Sequence, residues 1–129
     1  MYGSSLVVPD EPQAAWGCGS GSGALKVAFG DNVTVARLEA KSGAATRIHS
    51  HPYEEVIVVL KGRWRFILPS GEVMLEANQM LKIPPGMEHG SEVLEDAVAI
   101  DVCSPARTDW LNGDDRVLHY DPEQYLWAV

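Results

Sequence analysis

The chain has 129 residues, of which 46% are hydrophobic and 22% charged, and its formal net charge at pH 7 is −8. This composition predicts one folded domain, whereas the negative charge argues against nucleic acid and anionic membrane surfaces as partners, because both carry phosphates. No apolar segment is long enough to span a bilayer and the N-terminus lacks a secretory signal, so we expect a cytoplasmic protein.

The first half of the chain consists of short apolar segments separated by turn residues. The glycine- and serine-rich segment 17–23 is predicted to be a mobile surface loop. Valine-rich strands follow at 25–29 and 33–38, joined by a Gly-Asp-Asn turn. Residues 56–60 form a continuous run of mostly β-branched side chains, so we expect that strand to be covered on both faces.

The second half alternates strands and turns in the same way. Gly62 is expected to turn the chain, and the apolar residues Trp64, Phe66 and Leu68 then recur with period two, which predicts a strand with one buried face. Further strands are predicted at 73–75, 80–83 and 97–103. The one predicted helix is the short segment 109–118. Many short strands and almost no helix indicate an all-β sandwich or barrel.

Three of the four histidines fall, together with one glutamate, into a pattern typical of metal ligands. His49 and His51 project from the same face of an extended strand, and Glu55 follows one short turn later. Imidazole and carboxylate suit divalent iron, manganese, cobalt, nickel or zinc. With His89 from a neighbouring strand as a fourth ligand, positions on the metal stay open for chemistry.

The sequence around these residues resembles the cupin superfamily. The span from Gly43 to Gly62, with its two histidines and glutamate, is similar to the first cupin motif, and the span from Pro84 to His89 is similar to the core of the second. The second motif usually opens with glycine, where this chain has Asn78, a residue that tolerates the same left-handed turn conformation.

The cupin resemblance covers roughly residues 25–105 and has consequences for fold and cofactor. It implies a cupin double-stranded β-helix, a jelly-roll-like barrel, in a single domain over residues 1–129. The C-terminal tail, 106–129, is expected to pack on the barrel or on a partner subunit. The resemblance also implies one divalent transition metal per chain inside the barrel, bound by four ligands: His49, His51, Glu55 and His89.

Strand alternation predicts which other residues face the barrel interior. Arg47 shares its parity with His49 and indicates an anionic or oxygen-rich substrate, unless it extends to solvent at the barrel mouth. In 97–103 the odd-numbered residues form one face with a single ionisable group, Asp101, and the even-numbered residues form an apolar face suited to an interface. Asp101 is a candidate for proton transfer, or for a structural ion pair with Arg107 or Arg47.

Residues 101–111 are also similar to a segment of small pectin-degradation cupins, which open unsaturated uronate sugars into their keto forms. In that group an aspartate, an aromatic residue two positions later and an arginine six positions later surround the substrate. Asp101 and Arg107 match and are implied catalytic residues. Cys103 stands at the aromatic position, where it would contact substrate; a buried core thiol and a thiolate near the metal are the alternatives. The same group tends to have glutamine where this chain has Glu55.

These observations predict a metal-dependent enzyme that isomerises, tautomerises or opens a small polar substrate bearing a carboxylate. Asp101 would act as acid or base, and Arg107 or Arg47 would bind the carboxylate. The alternatives are an iron(II) dioxygenase, an aromatic polyketide cyclase and a non-catalytic small-molecule-binding protein. A homodimer is expected, because the apolar strand 56–60, the apolar face of 97–103 and the aromatic tail exceed what one small barrel covers.

Overall fold

The computed structural model describes residues 14–16, 18–19 and 23–107. The predicted helix at 109–118 and nearly all of the C-terminal tail lie outside these residues. The described residues form nine strands and include no helix, and hence no helix long and apolar enough to cross a membrane. In chain order the strands are β1 (Ala14–Trp16), β2 (Cys18–Gly19), β3 (Gly23–Phe29), β4 (Thr34–Ala40), β5 (Ala44–His49), β6 (Glu54–Leu68), β7 (Gly71–Leu75), β8 (Met80–Ile83) and β9 (His89–Ser104).

The two longest strands, β6 and β9, connect two layers of sheet. They pair antiparallel along most of their length, with Glu54 opposite Ser104 at one end and Ile67 opposite Gly90 at the other. One layer has the order β1-β3-β4-β9-β6-β8, and the other has the order β2-β5-β9-β6-β7. Because both long strands pass from one layer into the other, the sheet closes into the predicted all-β, jelly-roll-like barrel.

Alternation along β9 agrees with the prediction for its two faces. Ala97, Ala99, Asp101 and Cys103 are buried, whereas the intervening residues 98, 100 and 102 are half-buried on the outer face. The apolar core also includes Trp64, which is fully buried; its ring centroid lies 6.0 Å from that of Phe66. Period two therefore identifies the inner face wherever a strand is uninterrupted.

The predicted turn at Gly62 is wrong, because β6 continues through this residue as an irregular strand. The register with β9 shifts three times between Val59 and Trp64, and Gly62 adopts a φ of +87°. A Cβ atom at position 62 would lie 2.3 Å from the carbonyl oxygen of Asp96. Glycine is thus required here for both the left-handed conformation and the close approach of β9.

Two further predictions need correction, and one is confirmed. Segment 17–23 is not entirely a loop, since β2 lies within it and pairs with Ala44 and Ala45 of β5. Strand 56–60 is not covered on both faces in the single chain, since Leu60 is 45% exposed. Asn78 does take the left-handed conformation, with a φ of 72°, and its backbone N–H donates to the Val59 carbonyl at 2.7 Å.

The outer face of β6 changes character at the irregular segment. Before it, Val58 lies between Met80 of β8 and Ile100 of β9, and Met80 is 68% exposed. After it, Arg63 and Arg65 form ion pairs with glutamates of β9 and of the β7 region. One half of the strand therefore presents a charged face to solvent, and the other half presents an apolar one.

The close contact at Gly62 predicts a large effect of a single methyl group. Gly62→Ala should lower the free energy of unfolding by at least about 1 kcal/mol more than Gly86→Ala, because overpacking against backbone costs about 1–3 kcal/mol. Gly86 is the matched control: its φ is +79°, but no atom lies within 4 Å of the point that a Cβ would occupy. Urea denaturation of both variants measures the difference, and equal losses would contradict the clash.

The apolar outer face supports the predicted homodimer, which stays a prediction. At micromolar concentration, size-exclusion chromatography with light scattering should give twice the mass of one chain. Met80→Glu should shift the protein towards monomer, since it places a charge in this face without disturbing the core. A monomeric unmodified protein under these conditions would contradict the prediction.

Candidate metal centre

Four residues expected as metal ligands come together from three strands and one loop. His49 ends β5, Glu55 is the second residue of β6, and His89 begins β9 opposite His49. His51 lies in the loop after β5, so the prediction that it shares a strand with His49 is wrong. The turn before His89 holds this loop, because the backbone N–H of Gly86 donates to the His51 carbonyl at 2.9 Å.

A bulge in β5 sets the orientation of His49. Thr46 pairs with Ser91, and their buried hydroxyl oxygens lie 2.9 Å apart, whereas His49 pairs with His89. The distance from Thr46 to His49 is three residues along β5, whereas the distance between their partners, Ser91 and His89, is two residues along β9. β5 therefore contains one extra residue between these two inward-facing pairs. The alternation used to place Arg47 inside is broken by this bulge. Arg47 is half-buried there, and its role in substrate binding stays a prediction.

All three imidazole rings are oriented by main-chain carbonyls. Each ring has its Nδ1 within hydrogen-bonding distance of a carbonyl oxygen, to which the Nδ1–H donates. The acceptors are Arg47 at 2.7 Å from His49, Tyr53 at 3.1 Å from His51, and Met87 at 2.9 Å from His89. This pattern assigns the Nδ1–H tautomer and leaves the Nε2 lone pairs as donors for a metal, as in many histidine metal sites.

The remaining ring nitrogens and one carboxylate oxygen face one another. Ligand atoms of His49, His51 and His89 lie within 4.8 Å of one another. The Glu55 Oε1 atom is 3.1 Å from the Nε2 of His51 and 3.4 Å from that of His89. In this tautomer all four atoms are acceptors, so they need a shared proton or a cation between them. The donor set fits a divalent transition metal.

Burial keeps His49 neutral. Burial, and then the repulsion that a protonated His89 would exert, lower the pKa of His49 to about 4. At neutral pH its Nε2 therefore carries a lone pair, which is the form that binds a metal. The three rings are packed closely, with the centroids of His49 and His89 4.4 Å apart.

A second group of side chains adjoins the ligands on the inner face of β9. Ligand atoms of Glu55, Asp101 and Cys103 lie within 4.8 Å of one another, and the Cys103 thiol donates to Oδ2 of Asp101 at 3.7 Å. Burial raises the pKa of Cys103 far above its ordinary value, and the charges of Asp101 and Glu55 add to the rise. At neutral pH this residue is therefore a thiol rather than a thiolate.

The two buried carboxyl groups have pKa values displaced in opposite directions. Burial, and then the charge of Glu55 and a hydrogen bond with it, raise the pKa of Asp101 well above its ordinary value. Burial acts on Glu55 in the same sense, but its contacts with Asp101, His51 and His89 outweigh burial and hold that pKa well below the ordinary value. Oδ1 of Asp101 has no hydrogen-bond partner among the described residues, and the raised pKa of Asp101 favours a proton on this carboxyl in its contact with Glu55.

Arg107 lies beside this group and is 6% exposed. Its backbone N–H donates to Oγ1 of Thr34 at 2.7 Å. Its guanidinium carbon is 5.3 Å from the ring centroid of Tyr53, and its charge opposes the rise in the pKa of Asp101. The structure thus brings together Asp101, Cys103 and Arg107, the residues that the second resemblance implies. Sequence reasoning missed Tyr53, although its place midway between His51 and Glu55 was a usable signal.

Comparisons with known proteins agree with the fold described above. A family model described as "Cupin domain" matches residues 36–103. The fold is similar to that of KdgF from Halomonas sp., with 24% identity, 68% of this chain and 83% of that chain covered, and a TM-score of 0.65. An RmlC-like cupin from Shewanella frigidimarina has 21% identity, coverage of 82% and 95%, and a TM-score of 0.69.

The fold is also similar to part of a larger enzyme. An oxalate decarboxylase of Bacillus subtilis has 18% identity and a TM-score of 0.65; the similarity covers 81% of this chain and 33% of that one. At these identities the similarity concerns the fold alone. No curated protein matches the sequence.

Because the three ring nitrogens converge, we expect that the loss of one imidazole, that of His51, removes most of the metal binding. His51→Ala should lower the affinity for Zn(II) or Co(II) by more than about 100-fold, because loss of an outer-shell partner alone costs roughly 10- to 100-fold. Elemental analysis after dialysis gives metal per chain, and circular dichroism checks that the barrel folds. The fourth histidine of the sequence, His119, gives the control His119→Ala. Stoichiometric metal in His51→Ala would show that the ligands are wrong.

Proposed function

The chain belongs to the cupin domain family, and we propose that it is a metal-dependent enzyme that isomerises, tautomerises or opens a small polar substrate bearing a carboxylate. One observation carries the proposal. Asp101 is buried directly beside Glu55, and the buried Arg107 lies near Asp101, yet neither belongs to the set of four candidate ligands. A site built only to hold a metal has no use for an additional buried acid and guanidinium.

The proposal assigns the substrate carboxylate to Arg107. A guanidinium presents several N–H donors in a planar fork that matches a carboxylate, and it keeps its charge at every physiological pH. Its burial makes such a contact stronger than one made in water.

The proposal assigns proton transfer to Asp101. This carboxyl lies among Glu55, Cys103 and Arg107 on the inner face of β9. A divalent metal, when held by the four ligands, supplies a Lewis acid for a substrate oxygen. Asp101 gives its proton to one substrate atom and takes a proton back from another, so the reaction needs no oxidant and the substrate keeps its composition. The Cys103 thiol, 3.7 Å from Oδ2, orients the carboxyl.

The test uses the metal-loaded protein with a panel of small carboxylates in D2O without oxygen, observed by NMR. The panel contains an unsaturated uronate, a 2-keto acid and a 2-hydroxy acid. We expect an isomeric product with deuterium at the protonated position for at least one class. Asp101→Asn should lower kcat about 100-fold or more, since general acid–base catalysis contributes roughly 10²–10⁴-fold.

Matched variants separate carboxylate binding from proton transfer. Arg107→Lys should raise KM for the carboxylate more than it lowers kcat, because the charge remains and the planar fork is lost. Turnover only in the presence of oxygen would contradict the proposal and favour an iron(II) dioxygenase. Binding of a carboxylate with no turnover under any condition would favour the non-catalytic alternative, and turnover of an aromatic polyketide alone would favour the cyclase.

A further inference from the structure

Tyr53 contacts both functional parts of the site through two different groups. Its backbone carbonyl accepts the hydrogen bond from Nδ1 of His51 at 3.1 Å. Its ring lies 5.3 Å below the guanidinium carbon of Arg107, and the ring centroids of Tyr53 and His51 are 5.8 Å apart. The residue is 9% exposed, so neither contact is at the protein surface. One residue therefore connects a metal-binding imidazole with the proposed carboxylate-binding side chain.

The contact with the Tyr53 ring restricts the guanidinium of Arg107, which the backbone hydrogen bond of that residue leaves free to rotate. The hydrogen bond from the Arg107 amide to Thr34 fixes its main chain, but several rotatable bonds separate that main chain from the guanidinium. A guanidinium within about 6 Å of an aromatic centroid is attracted by the ring, more strongly when both are buried. The ring thus orients the guanidinium towards Asp101 and Cys103, whose pKa values register its charge.

We propose that Tyr53 is a positioning residue that couples the metal centre to Arg107. The carbonyl and the ring belong to one short segment between His51 and Glu55, so a shift of His51 on metal binding moves the ring that supports the guanidinium. The relative position of the metal and the anion-binding group is thereby fixed, which selects substrates carrying a carboxylate and a second oxygen. Only this last consequence rests on the proposed function; the coupling itself does not.

The test observes the Arg107 Nε–H group by NMR in the metal-free protein and during titration with Zn(II) alone. The signal is assigned as the one missing in Arg107→Lys. In the unmodified protein we expect an upfield ring-current shift, and a further change when one equivalent of Zn(II) is added. Tyr53→Phe keeps the ring and should preserve both effects. Tyr53→Leu should lose both, while its Zn(II) affinity stays within about 3-fold, because the carbonyl that orients His51 is main chain.

A second titration with malonate on the Zn(II)-loaded protein measures the effect on anion binding. Loss of a buried cation–π contact should weaken malonate binding about 5- to 30-fold in Tyr53→Leu, with Tyr53→Phe close to the unmodified protein. If malonate binds to none of these proteins while the spectroscopic effects follow the ring, the coupling stands and the proposed substrate class fails.

Three results would overturn the positioning role. One is an Arg107 signal without a ring-current shift in the unmodified protein; this result needs only Arg107→Lys for the assignment and does not depend on whether Tyr53→Leu folds. Another is an Arg107 signal that does not respond to Zn(II). The third is an equal loss in Tyr53→Phe and Tyr53→Leu, since that would assign the effect to the hydroxyl group instead of the ring.

Discussion

The structure depends on four acceptor atoms that the fold holds face to face. Three imidazole nitrogens and one carboxylate oxygen meet in a buried site, and each ring is oriented because its other nitrogen donates to a main-chain carbonyl. Side chains alone would rotate to avoid such an arrangement. The backbone at the end of β5, in the loop that follows and before β9 prevents this, so the site is prepared for a cation by the fold itself.

The surroundings of this site combine charge with burial in a way that a purely structural core avoids. Glu55, Asp101 and Arg107 are each less than 10% exposed. Burial of an unpaired charge is costly, and the protein limits that cost by placing a proton on Asp101 and by setting Arg107 against the Tyr53 ring. The result is a compact group in which a protonated Asp101 and the cationic Arg107 lie next to Glu55, one of the four candidate ligands.

How far the sequence predicts this molecule depends on whether a strand is regular. The two faces of β9 follow from alternation, and the left-handed turn at Asn78 follows from residue type, because both depend on local geometry. The bulges are different, since an inserted residue is recognisable only from the partner strand. For this reason residue type at Gly62 suggests a turn that does not exist, and the parity that places Arg47 inside does not hold. Tyr53 escapes sequence reasoning because its contact with the Arg107 guanidinium arises from tertiary packing, whereas only its contact with His51 is local.

The central claim is that His49, His51, His89 and Glu55 bind a single divalent metal. The most direct measurement is anomalous X-ray diffraction from crystals of the protein loaded with one equivalent of Co(II), collected on both sides of the cobalt absorption edge. The account predicts one anomalous peak per chain, at about 2.0–2.2 Å from the three Nε2 atoms and from a Glu55 carboxylate oxygen. A peak bound by other residues, or cobalt in solution with no peak inside the barrel, would contradict it.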